Sequence, residues 1–262
     1  MAKKQELANV ASEQDLAIIN ESFPIERGNS RISLPRLGMF SQDKFEGKGK
    51  DAKLVEEAGM FYKEAPGEEL NEAGKPIWEK TELGKSIEAI ILYKRYKLAH
   101  YDASTGFTSS PIYDSKEETV PLFRDKKEVA KGIVTELQKL PEYQGKTAKG
   151  KPTTKLEDKR VLYLMYEGEA YQMEIGGSSK YSYLSYEKST MPPSVLTKFN
   201  SEPKENGAVA WNQMTFVPVR PLNAKEGAEV AKQITDIKET IIAEKAQYTV
   251  QSEESKKADK DF

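Results

Sequence analysis

The stretch Lys159-Arg-Val-Leu-Tyr-Leu-Met-Tyr-Glu-Gly-Glu-Ala-Tyr-Gln-Met-Glu-Ile-Gly-Gly-Ser-Ser-Lys-Tyr-Ser-Tyr-Leu-Ser-Tyr186 decides the fold class. It opens with β-formers, turns at Glu167-Gly168-Glu169 and alternates strictly through Tyr171, Met173 and Ile175. Two such runs about a Glu-Gly turn predict a β-hairpin with one buried face. After the break at Gly176-Gly177-Ser178-Ser179 comes Lys180 with Tyr181, Tyr183 and Tyr186. That last run suits either another strand or a short helix capped by Ser178 or Ser179.

Upstream, Ser86 to Leu98 is the strongest strand signal. Ile87, Ala89, Ile91 and Tyr93 fall on one face, Ile90 and Leu92 on the other. Apolar residues on both faces predict a central strand. Its far end changes to Lys94-Arg95-Tyr96-Lys97, with Tyr101 just beyond. Arg31 to Phe40 reads as a first strand that Pro35 places at an edge or breaks. Gly59 to Lys63 is a short strand. Residues 41–53 and Ala65 to Pro76 read as exposed loops, and 102–120 as a loop with room for one short strand.

Two segments carry helical spacing. Val129, Ile133, Leu137 and Leu140 suggest a helix over Asp125 to Leu140, ended by Pro141. In Asn223 to about Ala246, the stripe Val230, Ile234, Ile237 and Ile241 follows an Asn223–Glu226 capping box. Ser194–Phe199 and Val209–Val219 flank the turn-rich Asn200–Gly207 as a second hairpin. Gly145 to Lys155 holds four lysines and no acid, the composition of a flexible basic loop. The expected organisation is an N-terminal arm (1–30), a β core (31–222), a C-terminal helix (223–247) and a disordered tail (248–262).

The chain has 262 residues, enough to bury a sizeable core. Forty Lys+Arg against 42 Asp+Glu give a net charge of −2, which excludes a uniformly basic coat but leaves room for a local basic face. With no cysteine there is no disulfide, thiolate metal site or Cys nucleophile. No window reaches the roughly 20 apolar residues of a membrane helix, and Met-Ala-Lys-Lys-Gln-Glu lacks the apolar run of a signal peptide. These features suit the cytoplasm, the host's if the chain is phage-encoded.

Catalytic chemistry has little to draw on. His100 is the sole histidine, which rules out two-His metal motifs; at a strand end it is expected to be a surface residue. Gly84-Lys85-Ser86 and Gly145-Lys146-Thr147 resemble the end of a P-loop, but Glu79 and Leu140 stand where the motif needs glycine. Gly47-Lys-Gly-Lys-Asp-Ala52 lacks the strand and helix of a dinucleotide site. The carboxylates are scattered, so a metal-dependent nuclease would need acids assembled in space. No cofactor is expected, and no catalytic residue is assigned.

What remains is aromatic and basic interleaving among 13 Tyr, 9 Phe and 2 Trp. Aromatic faces stack bases of any sequence and cations supply a salt-sensitive phosphate term. The candidate phosphate contacts are Lys94, Arg95, Lys97, Lys146, Lys149, Lys151 and Lys180. The candidate stacking faces are Tyr96, Tyr101, Tyr181, Tyr183 and Trp211. Strand ends with packed tyrosines and snorkelling cations look the same in sequence.

A β-rich core with an interrupting helix, a basic loop, the Gly-Gly-Ser-Ser break, a hairpin with Trp211 and a loose tail ending in Asp261-Phe262 resembles the phage-encoded single-stranded DNA-binding proteins. The resemblance implies a β-barrel of OB-fold type with long insertions and a C-terminal amphipathic helix. It implies single-stranded DNA as the partner, in replication or recombination. It also implies a tail whose Asp259, Asp261 and Phe262 contact replication or recombination proteins; between Glu253 and Phe262 that tail has four acids and three lysines. Self-association is compatible with this reading. An alternative of another class is a phage structural or accessory protein that works through protein assembly by its charged helix and termini.

Overall fold

The computed structural model describes residues 34–46, 53–70, 76–125, 127–147, 150–207, 209–239 and 241. The expected N-terminal arm and C-terminal tail, with Asp259, Asp261 and Phe262, lie outside the described residues. The protein is mostly strand with a few helices, as the alternating patterns predict. It divides into two compact units, the first from Leu34–Tyr93 and Leu162–Gln233, the second from Lys94–Val161 and residues 234–241.

In the first unit, β1 (Arg36–Met39) pairs antiparallel with β4 (Phe61–Leu70) and parallel with β13 (Glu169–Ile175). β4 also pairs with β5 (Pro76–Gly84). The hairpin of β12 (Glu157–Tyr166) and β13 turns on Glu167 and Gly168, whose φ values of 52° and 83° are those of a type I′ turn. Tyr171, Met173 and Ile175 are buried in alternation, but Val161 to Met165 are buried without a break. β12 is thus covered on both faces, because it lies between β13 and β6 (Ser86–Asp102) inside the sheet. The central-strand pattern of β6 is realised over 17 residues.

The Tyr181–Tyr186 run resolves as a helix, Gly177–Ser189. Neither serine caps it. Ser178 Oγ accepts from Trp211 Nε1–H at 3.0 Å, and Ser179 Oγ accepts from the Met214 N–H at 2.9 Å. Both bonds tie the helix start to β15 (Val209–Pro221), the partner of β14 (Val195–Asn206). Tyr183 and Tyr186, three residues apart, share one face of the helix. Their rings meet Phe216, which meets Phe199 at 5.0 Å and 68°, the edge-on arrangement aromatic rings favour. The Tyr186 hydroxyl and Thr197 Oγ1 share a buried 2.6 Å hydrogen bond, so the ring is buried without stranding its polar tip.

The second unit takes β6 from Lys94 onward with β7 (Gly106–Ser109), β8 (Thr119–Arg124) and β9 (Lys127–Ile133), joined antiparallel in that order. Leu98, Val120, Leu122, Val134, Leu137, Tyr143 and Leu156 form its core. The helix expected over 125–140 shrinks to the single turn Val134–Leu137, and Lys127–Ile133 is strand instead. Ala130 and Gly132 are half-buried while Val129 and Lys131 are exposed, an alternation a strand allows, and β8 offers a hydrogen-bonding edge that a lone short helix could not match.

Other expected loops are strands. β2 (Lys44–Glu46) and β3 (Lys53–Glu56) form a hairpin within 41–56. β4 continues to Leu70 and β5 starts at Pro76. These arms read as loops because most of their described positions are exposed on both faces, leaving no apolar alternation. The basic loop holds a small hairpin, β10 (Gln144–Lys146) with β11 (Pro152–Thr154). β14 and β15 extend through the turn-rich segment to a turn at Gly207, whose φ is +62°.

The expected barrel is not closed. The order β5-β4-β1-β13-β12-β6-β7-β8-β9 has two ends, and β14 and β15 branch from β6. Closure needs the edge strands to pair with each other, and among the described residues β5 pairs only with β4, β9 only with β8. The C-terminal helix spans 224–239 and includes 241, with Val230, Ile234, Ile237 and Ile241 buried. Its capping box is formed: Asn223 Oδ1 accepts from the Glu226 N–H at 3.0 Å, and Glu226 Oε2 accepts from the Asn223 N–H at 2.9 Å.

Candidate functional site

Near the far end of β6, Arg95 is buried while Lys94, Tyr96 and Lys97 are half-buried. Arg95 is 1% exposed and its Nε donates to Asp114 Oδ1 at 2.5 Å. The guanidinium is therefore a packing cation, and its assignment as a phosphate contact is corrected: a charge desolvated in the core is kept there by its carboxylate. Tyr96 has its ring 4.6 Å from the Arg160 guanidinium and 5.7 Å from the Tyr113 ring. Arg160 Nη1 and Lys116 Nζ both reach Asp158, at 3.0 and 2.6 Å. Burial, then the Asp158 charge, pushes the Tyr113 phenol far up, so it stays protonated. Tyr96 is thus largely committed to an internal network of aromatic and charged groups.

Tyr101 differs. It is 71% exposed, and register places it directly opposite Phe107, itself 50% exposed, at the end of the β6–β7 hairpin. Directly opposed residues share a face with their Cβ atoms ~5 Å apart. Ser109, on the same face of β7, stands opposite the half-buried Phe123 of β8, and Lys97 lies on the same face of β6. The hairpin turn is held by Asp102, whose Oδ1 accepts from the Ser104 and Thr105 N–H groups. The result is a rigid strand pair offering adjacent aromatic rings to solvent.

In the β10–β11 hairpin of the same unit, Lys146, Lys151 and Lys155 are exposed, and no carboxylate among the described residues pairs with them. Lys149 lies outside the described residues. The hairpin is anchored where the Lys155 N–H donates to the Tyr143 carbonyl at 2.7 Å. Its cations can meet phosphates without first giving up an ion pair.

The first unit holds Lys180, Tyr181, Tyr183 and Trp211. Tyr181 is exposed, with Lys180 Nζ 5.1 Å from its ring centre. Tyr183 is 1% exposed in the aromatic core, so its assignment as a stacking face is corrected. Helical geometry turns residues 181 and 183 about 200° apart, which the sequence cluster alone conceals. Trp211 is half-buried and spends its Nε1–H on Ser178.

Phe107 and Phe123 were missed from sequence. The one signal was Asp102-Ala-Ser-Thr-Gly106, a turn whose recognition would have brought Tyr101 and Phe107 into register. Among the described residues no group of three or more His, Cys, Asp or Glu is placed to hold a metal ion, and no helix is long and apolar enough to cross a membrane. Compared with family models, with curated proteins and with solved structures, the chain matches none.

Proposed function

We propose that the protein binds single-stranded DNA with little regard to sequence, in replication or recombination. The observation that carries this is the exposed Tyr101–Phe107 pair, fixed in register on one strand face. A soluble chain gains nothing by presenting two aromatic rings on a stiff hairpin unless something covers them. Unpaired bases cover such rings with their own faces. Lys97 and the hairpin lysines Lys146 and Lys151 supply the phosphate term, and Tyr181 with Lys180 offers a second small aromatic-cation group in the first unit. The resemblance to phage single-stranded DNA-binding proteins supports the same class. Affinity for labelled oligo(dT) by fluorescence anisotropy, at low and moderate salt, tests it. Binding should weaken steeply with salt and compete poorly with duplex; absence of binding at low salt would refute it.

One observation favours a second reading, protein assembly. On the β2–β3 hairpin of the first unit, Phe45 stands opposite Leu54, and both are exposed beside Val55. An apolar cross-strand pair suits protein contact better than nucleic acid, and the neighbouring Lys44 Nζ is taken up 3.5 Å from Glu56. A stable oligomer together with no salt-dependent DNA binding would support this reading.

A further inference from the structure

Behind the hairpin that carries Tyr101 and Phe107, the second unit has a recess of about 230 Å³. Register builds one wall. His100 stands opposite Thr108, Thr108 opposite Arg124 and Asp102 opposite Gly106, so His100, Asp102, Thr108 and Arg124 share a face of β6–β8. Tyr143 lines the recess as well, its ring edge-on to His100 at 5.5 Å, and its buried hydroxyl has no hydrogen-bond partner among the described residues.

The polar groups here are oriented and incompletely used. Arg124 Nε donates to Thr108 Oγ1 at 2.9 Å, which fixes the guanidinium plane. Its two terminal nitrogens have no partner among the described residues. Asp102 Oδ1 accepts from the Ser104 hydroxyl at 2.5 Å and from the Ser104 and Thr105 N–H groups at 2.9 and 3.1 Å. Oδ2 has no partner among the described residues. The Ser104 hydroxyl first, then the two backbone donors, hold the Asp102 carboxyl down at about 2, so it is an anion at neutral pH. Glu142 adds a second carboxylate at the rim.

Two carboxylates against one guanidinium repel a phosphate. A fixed donor fork beside a fixed acceptor instead complements a flat ligand with acceptors on one edge and donors on the next. Guanine is that ligand: O6 and N7 accept, N1–H and the N2 amino group donate. Adenine presents an amino group where the fork needs an acceptor, and thymine lacks the donor pair. We infer that the recess takes one unstacked guanine base of the bound strand, with Arg124 donating to O6 and N7 and Asp102 accepting from N1–H and the N2 amino group. Single-stranded recognition by base edges uses the same division of labour, stacking for affinity and hydrogen bonds for choice.

This rests on the single-strand proposal and adds a base preference to it. The test compares oligo(dT) with the same oligonucleotide carrying one central dG, one inosine or one dA, using full-length protein. The dG probe should bind roughly ten-fold tighter than oligo(dT), the scale of one good bidentate pair. Inosine, which keeps O6, N7 and N1–H but lacks the N2 amino group, should bind more weakly than dG and more tightly than oligo(dT) without any change to the protein. Arg124→Lys should bring dG down to the oligo(dT) level while leaving oligo(dT) affinity in place. Equal binding of dG and dT probes overturns the inference and leaves the single-strand proposal standing. Binding of neither overturns both. Free dGMP bound in that last case would show that the recess serves a nucleotide and not a strand.

Discussion

Replacing Tyr101 with alanine separates a binding role from a packing role. Tyr101 is 71% exposed, so less than a third of the ~3 kcal/mol that full burial of a large side chain is worth is at stake. That is under about 1 kcal/mol, and loss of the cross-strand partner of Phe107 adds ~0.2–1 kcal/mol. Urea unfolding should therefore place the variant within about 2 kcal/mol of wild type. Loss of one stacked base costs ~1–3 kcal/mol, a rise in Kd for oligo(dT) of roughly fivefold to 150-fold. Tyr183→Ala is the contrast. That ring is 1% exposed and edge-on to Phe216 at 5.5 Å, so its removal should cost ~3–5 kcal/mol of stability. Any binding it loses should follow the unfolded fraction. Both quantities come from the same protein samples, anisotropy for Kd and fluorescence for the urea midpoint. If Tyr101→Ala binds oligo(dT) within about twofold of wild type, a difference below ~0.5 kcal/mol, the stacking platform is not where the strand lies.

Three further outcomes follow from the packing. Asp114→Ala removes the carboxylate held by buried Arg95 and should destabilise the protein by ~3–5 kcal/mol; adding Arg95→Met should recover much of that loss in urea. Glu226 is held down at about 2, first by the Arg220 guanidinium and then by the Asn223 N–H, below its ordinary value of 4.5. A depressed carboxyl stabilises the fold above the ordinary value and stops doing so as pH falls through the folded one. Stability measured by circular dichroism should thus decline between pH 4.5 and about 2, by under ~1 kcal/mol for so exposed a pair, and Glu226→Gln should flatten that decline. Gly38→Ala would drive a methyl into the Tyr62 ring, its register partner, which stacks on Phe40 at 4.5 Å. The cost should be ~1–3 kcal/mol in thermal unfolding, relieved by adding Tyr62→Leu.

Much of the fold was legible because burial on a strand leaves a local record. Tyr171, Met173 and Ile175 alternate, Ile87 to Leu92 fill both faces, and Val230 to Ile241 repeat at helical spacing, so hairpin, central strand and C-terminal helix each announce themselves within a dozen residues. Asn223 and Glu226 did the same for a helix start, since a capping box is closed by atoms three positions apart. The exposed arms β2–β3 and β4–β5 left no such record. A strand with both faces in solvent needs no apolar period, and its hydrogen bonds come from a partner that sequence does not point to.

The chemistry of the candidate site divides along the same line. Sequence alone determined that this protein has no thiol, one imidazole and a run of cations and tyrosines at the end of its central strand. Tertiary structure alone decided which of them are buried. Arg95 and Lys97 look equivalent in the sequence and lie two apart on one strand, yet Arg95 is buried against Asp114 while Lys97 is half-buried nearer the strand end. Phe107 gains its place only when a four-residue strand folds back beside β6. Exposure, register and ion pairing depend on residues distant in the chain, so no local pattern can carry them.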